Sequence, residues 1–375
     1  MRKRAPARIT LLTQTPATDA ALLAPHDVET RADPFVVSSA WSERHTRPQP
    51  TVPDPQELLS SADLLIATGG DLYTSDYGVS TAYLAAPAHA IRAGVAVGML
   101  AHSIGPFARS DDASAWTSVA RDCMVLTTRE TLSHRYVIDE LGVPDTHAAL
   151  AADPAFLLPT APADRVEQIL RALGIGPADS YLCLAPSQGI ASFRRLGERA
   201  HEQALGRLIG HLTSRWPEPV LLIPHVHDSR PHNDDRRLVT RLSARFTHLG
   251  ARAVPGPLTA SEYKGITAGA RLLIAERLHA AIGGLSSNTP TAAIGYSPKF
   301  AGVLADTYAD PDALDTTHLE VDTFVHDDFA PARLVGCLDI DALSEALCSR
   351  LPLIQQRAES NFTALPTPPR EQVAG

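Results

Sequence analysis

The chain has little lysine and little cysteine, with three of the first and four of the second in 375 residues. Its 30 arginines are scattered among 42 acidic residues, giving a formal charge of −9 with no dense basic block after residue 4. This balance argues against nucleic-acid binding as the main activity, since a phosphate backbone is held by clustered positive charge. The cysteines, Cys123, Cys183, Cys337 and Cys348, show no CxxC or other metal-ligand spacing and are expected to be free and mostly buried. No apolar run approaches the roughly 18 residues of a membrane-spanning helix, and Thr, Gln and Pro interrupt the first apolar stretch. A cytoplasmic protein is expected. GxGxxG does not follow any predicted strand, which disfavours a dinucleotide-dependent dehydrogenase, and GLSSN at 284–288 is not the GxSxG of a hydrolase.

What is present is apolar material in short runs. Hydrophobic residues make up 44% of the chain and charged residues 20%, enough for sizeable cores. The length exceeds what one core organises comfortably, so two domains are expected. Strands are predicted at Ile9–Thr13, at Leu64–Ala67 running into a loop at Gly69–Gly70, from Val95, and at Met124–Thr127, with HSIGPF from His102 as a further loop. A helix is predicted over Leu132–Leu141. The pattern restarts with strands at Tyr181–Ala185, at VLLIP before His225, at Leu272–Ala275 and at TAAIG. Short strand, loop and helix in repetition is the pattern of a parallel sheet covered on both faces. The predicted division is 1–177 and 178–339, two Rossmann-like α/β domains facing across a cleft, with 340–375 forming a C-terminal helix that braces the first domain and a tail.

Chemistry is expected at the carboxyl ends of these strands. Arg277 and His279 stand where a buried strand ends and a helix begins, where free N–H groups and the helix dipole favour an anion. A guanidinium grips carboxylate or phosphate through paired hydrogen bonds, and an imidazole passes a proton near neutral pH. Glu276 is read as an orienting partner for Arg277 or as a general base. Arg129 holds the equivalent strand end in the first half. Ser187 and Gln188 follow the first strand of the second half and are candidate substrate contacts, as is His225 at the end of VLLIP. Gly69, Gly70 and Asp71, and the loop holding Ser103 and Gly105, offer a backbone surface beside substrate or tight turns alone. His225, His227, Asp228, His232, Asn233 and Asp234 form a polar cluster in print, and no metal is assigned to them.

Taken together and in order, GGD at Gly69, HSIGPF at His102, TTRETLSHRYVIDELG from Thr127, DPAF at Asp153, PHVHDSRPHNDDR from Pro224, and ERLHAAIGG with PTAAIGYSPKF from Glu276 resemble the polysaccharide pyruvyl transferases. The resemblance covers roughly residues 60–305. It implies a GT-B-like fold and no metal or cofactor, with phosphoenolpyruvate as donor substrate. It also implies that a pyruvate ketal is placed across two hydroxyls of a sugar-containing acceptor, releasing phosphate. By the same resemblance Arg277, Leu278 and His279 fall on the Arg-Leu-His element of the donor site, and Arg129 on the first-domain arginine that precedes an acidic residue. The first domain is then the acceptor side and the second the phosphoenolpyruvate side. The chain departs from the family where TQTPATDAA replaces a GNxGD-like loop, where Glu130 stands for Asp, and where Thr68 precedes two glycines instead of three.

The implied chemistry starts with protonation of the enolpyruvyl methylene, for which His279 is the candidate. Arg277 and Arg129 hold carboxylate or phosphate. The sequence also leaves open a GT-B glycosyltransferase that uses a nucleotide sugar, and a non-catalytic interaction protein of a biosynthetic complex. It allows a homo-oligomer, and it names no particular acceptor.

Overall fold

The computed structural model describes residues 7–35, 53–75, 80–309 and 311–365. The chain divides into two compact units, one comprising residues up to Ala151 together with those from Glu359 onward, the other Ala152–Ala358. This differs from a division at residue 177. The segment after Ala151 belongs to the second unit because helix Ala163–Ala172 packs on helix Ala260–Ala268, with the Ala161 N–H donating to the Ser261 carbonyl and Arg165 paired with Glu262. Helix Ile340–Thr363 starts in the second unit and ends in the first, and the tail expected beyond 365 lies outside the described residues.

In the first unit, β1 (Thr10–Thr13) and β2 (Glu29–Ala32) form a small parallel pair. The main sheet is parallel, in the order β3 (Leu64–Tyr73), β4 (Ala96–Ile104), β5 (Val125–Thr128), β6 (Ala148–Leu150). Its central strand β4 is an almost unbroken buried run, as a parallel strand covered on both faces requires. Trp116, Tyr73, Met99, Leu126 and Val137 fill one face. Leu365 closes a smaller cluster against Leu100 and Val125 on the other.

The second unit holds a six-stranded parallel sheet of β7 (Leu182–Ala185), β8 (Val220–Leu222), β9 (Ala251–Ala253), β10 (Leu272–Ala275), β11 (Thr291–Gly295) and β12 (His318–Glu320). They lie in the order β12-β11-β10-β7-β8-β9. Counted from β7, this is the 3-2-1-4-5-6 order of a doubly wound nucleotide-binding sheet. Both faces are apolar, and the strands alternate between them. Leu182, Leu184, Val220, Leu222, Leu272 and Ile274 enter the larger core, and Cys183, Ala185, Leu221, Leu273 and Ala275 the smaller. The fold is the expected α/β class with two Rossmann-like units, GT-B-like in architecture. No helix among the described residues is long and apolar enough to cross a membrane. All four cysteines are free, as expected, but only Cys123 and Cys183 are buried, while Cys337 and Cys348 are exposed.

Candidate functional site

In the doubly wound sheet the strand order reverses between β7 and β10, and ligands of such sheets sit at the carboxyl ends flanking that reversal. β7 leads into Ser187 and helix Gln188–Phe193, while β10 leads into Glu276, Arg277 and helix Leu278–Leu285. Glu276 joins the two. Its carboxylate is 0% exposed. One oxygen accepts the Ser187 N–H at 2.7 Å and the other lies 2.7 Å from Nε2 of His201. Glu276 was expected to orient Arg277 or act as a general base; among the described residues its carboxylate is engaged instead with the Ser187 N–H and His201, and it is buried.

The partner of Arg277 is Asp235, which the sequence reading gave no role. Asp235 is fully buried. It receives Nε and Nη2 of Arg277 at 3.1 and 2.7 Å, the Gln188 N–H at 2.8 Å and the Val226 N–H at 2.8 Å. One carboxylate thus ties together the loops after β7, β8 and β10. Burial pushes its pKa up while Arg277 pulls it down. Nη2 also reaches Asn233 Oδ1 at 3.3 Å, and Nη1 makes no bond among the described residues. Gly189 lies alongside, and a side chain there would bring Cβ to 2.5 Å from Asn233 Oδ1, so only glycine leaves the grip intact. Gln188 is buried, with its side chain turned to Arg241 and Glu198, and Leu278 packs into the core. Any contact these two make with substrate runs through the backbone.

His279 occupies the first turn of its helix with 55% of its side chain exposed, and its Nε2 is 3.7 Å from Asp153 Oδ2. His225 is half-buried. Burial, reinforced by His279, Arg277 and His227, pushes its pKa down to about 3, so it is a neutral imidazole at pH 7. His227 contacts the Pro224 carbonyl at 3.1 Å and the Tyr263 hydroxyl at 2.8 Å, and burial lowers its pKa as well. The remainder of the polar cluster is structural. Asp228 binds Arg230 and Asn233, and Arg230 holds its carboxyl well below the usual carboxylate range. Asp234 caps helix Asp235–Phe246 and pairs with Arg236.

The strand beside β10 contributes a further group. Beyond β11, Lys299 stands in the first turn of helix Pro298–Tyr308, 3.4 Å from the Tyr296 hydroxyl, and burial pushes its ammonium down to about 7. Ser297, the residue before this helix, is buried and its hydroxyl makes no hydrogen bond among the described residues. The YSPKF text carried both residues, but nothing in it signalled their burial.

In the first unit the predicted glycine loop is strand. Gly69, Gly70 and Asp71 lie within β3, where a bulge follows Gly70 with φ +111°. A Cβ on Gly69 would lie 2.6 Å from the Ala101 carbonyl oxygen of β4, so the two strands approach too closely for any other residue. Ser103 likewise belongs to β4, and its hydroxyl accepts Nε of Arg129 at 2.8 Å. Glu130 caps helix Thr131–Arg135 through the Ser133 N–H at 2.8 Å and accepts the Ser133 hydroxyl. Burial pushes its pKa up. Gly105, at φ +71°, faces the ring of Tyr136, which a Cβ there would overlap.

The family model for polysaccharide pyruvyl transferases matches residues 24–298, well over half of the chain. The chain belongs to the polysaccharide pyruvyl transferase family. Every candidate residue from Gly69 to His279 lies inside this family match, and Lys299 is the residue just past its end. The amylovoran biosynthesis protein AmsJ of Erwinia amylovora is 28% identical over 252 residues, covering 66% of this chain and 60% of AmsJ, so the chain spans less than two thirds of that relative's length. Among solved structures, UDP-GlcNAc 2-epimerase from Neisseria meningitidis, bound to UDP-GlcNAc, superposes with TM-score 0.54 at 11% identity, covering 96% of this chain and 91% of the other. HepE from Anabaena, in complex with UDP and glucose, gives 0.52 at 13% identity, covering 97% and 93%. Both likenesses concern the fold.

Proposed function

We propose that the protein is a pyruvyl transferase that moves the pyruvyl group of phosphoenolpyruvate onto two hydroxyls of a sugar-containing acceptor, forming a ketal and releasing phosphate. One observation supports this reading above the others. Arg277, gripped by buried Asp235, and the exposed His279 flank a helix start at the reversal point of the doubly wound sheet, in a chain of this family. An anion is stabilised there by the remaining guanidinium N–H groups and by the first-turn amides. Lys299, at the next strand end, is suited to the second anionic group of the donor. In the first unit, Arg129 is the candidate for holding an anionic group of a substrate. A phosphoenolpyruvate donor places the reaction in the cytoplasm.

The steps follow from the reactants. His279, as imidazolium, gives its proton to the methylene carbon of the enolpyruvyl group, and C2 becomes oxocarbenium-like. One acceptor hydroxyl forms a C2–O bond, the C2–O bond to phosphate breaks, and the neighbouring hydroxyl closes the ketal. Of the two hydroxyl protons, one restores His279 and the other leaves with phosphate. Neutral His225, between the cationic groups, can accept or donate a hydrogen bond to the bound donor without adding charge.

The reading is tested by calorimetric titration of phosphoenolpyruvate into the full chain and its Arg277→Ala and His279→Ala variants, with UDP- and GDP-sugars as controls. Saturable binding that weakens in Arg277→Ala is the expected result and justifies an acceptor screen for phosphate release. Binding of nucleotide sugars alone would overturn it in favour of a glycosyltransferase.

A further inference from the structure

Asp153 opens the DPAF segment, to which the sequence reading gave no chemical role. It is buried, and Oδ1 accepts the Ala155 N–H at 2.8 Å, capping the short helix Pro154–Leu157. That helix packs on helix Leu278–Leu285. The cap therefore fixes a carboxylate whose other oxygen faces Nε2 of His279 at 3.7 Å, the only ion pair His279 makes among the described residues.

We infer that Asp153 is a positioning residue for His279, holding the imidazole at the helix start and favouring the imidazolium form that delivers the proton. This rests on the proposed pyruvyl transfer. A carboxylate within ion-pair distance favours the charged form of an imidazole. The other charged neighbours oppose or ignore the effect. Arg277 and His279 both act on His225, whose pKa burial and these charges lower, and neither Arg277 nor His225 is an acid that could pair with His279. β10 and β11, packed against the same helix, carry no titratable side chain. On helix Ala260–Ala268, Glu262 is engaged with Arg165 and Thr259, Lys264 donates to the Leu158 carbonyl, and Tyr263 is bonded to His227. Among the described residues Asp153 is thus the one carboxylate paired with His279.

Asp153→Asn separates the two roles of this residue, because an asparagine oxygen still accepts the Ala155 N–H while the charge is gone. Two readouts are taken on the full chain. The first is the NMR titration of the His279 imidazole without ligand, assigned by its loss in His279→Gln. The second is the pH dependence of kcat for phosphate release from phosphoenolpyruvate. In Asp153→Asn the imidazole titration is expected to move down by about one pH unit. The high-pH limb of kcat should move with it, while phosphoenolpyruvate affinity stays within about threefold of the parent. A folded Asp153→Asn protein whose titration and limb are both unmoved would overturn the inference and leave Asp153 as a cap alone. If the parent binds no phosphoenolpyruvate, the pyruvyl-transfer reading fails, yet the titration still decides whether Asp153 governs His279.

Discussion

Arg129 and Arg277 both stand just past the end of a parallel strand, beside an acidic residue and a helix start, yet their surroundings differ. In the first unit Arg129 is 3% exposed and bonded to Ser103, beside a carboxylate that burial has pushed upward. In the second unit the burial falls on Asp235, beneath the arginine, and Arg277 keeps 20% of its side chain in solvent. The difference lies in which partner occupies the interior, the arginine in the first unit and its counter-ion in the second. The enclosed guanidinium of Arg129 offers little of its surface to solvent. One anchored from below presents its remaining N–H groups outward.

The comparison is tested most strongly in the second unit. His279→Ala is expected to lower phosphate release by roughly 10²–10⁴-fold with the fold unchanged by circular dichroism. Arg277→Ala should reduce phosphoenolpyruvate affinity as well, seen by calorimetry. If Arg129→Ala cost more donor affinity than Arg277→Ala, the donor would be held chiefly by the first unit and the comparison would be reversed. Next in size, Asp235→Ala strands Arg277 and two backbone N–H groups, and breaking a buried pair of this kind costs about 3–5 kcal/mol, read from a urea unfolding curve. In the first unit, Gly69→Ala forces a methyl against the Ala101 carbonyl and should destabilise by about 1–3 kcal/mol.

The smallest effect depends on pH. Burial depresses the Lys299 ammonium from 10.5 to about 7, so between those values the unfolded chain binds a proton that the folded chain does not. Stability contributed at this position therefore rises with pH across that window. Lys299→Met should flatten the rise, with the gain in thermal midpoint larger at about pH 6 than at about pH 10. A steeper dependence in the variant would contradict the burial argument. Weakened phosphoenolpyruvate binding in the same variant would connect the site to β11.

The sequence was most readable where a buried strand ran straight into polar text. VLLIPH and LLIAERLH announced both the strand and the chemistry at its end, because periodicity and residue type agree there. It was least readable where spacing hides a three-dimensional relation. Asp235 looked like one acid among the neighbours of the 225–234 cluster, and only the fold shows that it receives groups from three loops. His201, on helix Glu198–Arg215 with no recognisable motif around it, was silent for the same reason, although it meets Glu276. Gly69–Gly70 suggested a loop because glycine is a weak strand former by propensity alone. The close approach of β4, a tertiary fact, made it a strand. The segment 152–177 was assigned to the wrong unit because the proline run at 159–162 imitates a linker while its side chains and backbone dock on helix Ala260–Ala268.

The long helix Ile340–Thr363 delivers Asn361 and Leu365 to the first unit. Asn361 receives the Thr127 hydroxyl, which in turn holds the Ala101 N–H at the bulge of β4, and Leu365 fills the cluster beside Leu100. These residues come off the ribosome after the whole of Ala152–Ala358. A nascent chain that has emerged as far as Ala358 holds every residue of the second unit but lacks two packing partners of the first. Domains fold as units during synthesis, so the amino-terminal unit, although made first, is completed last.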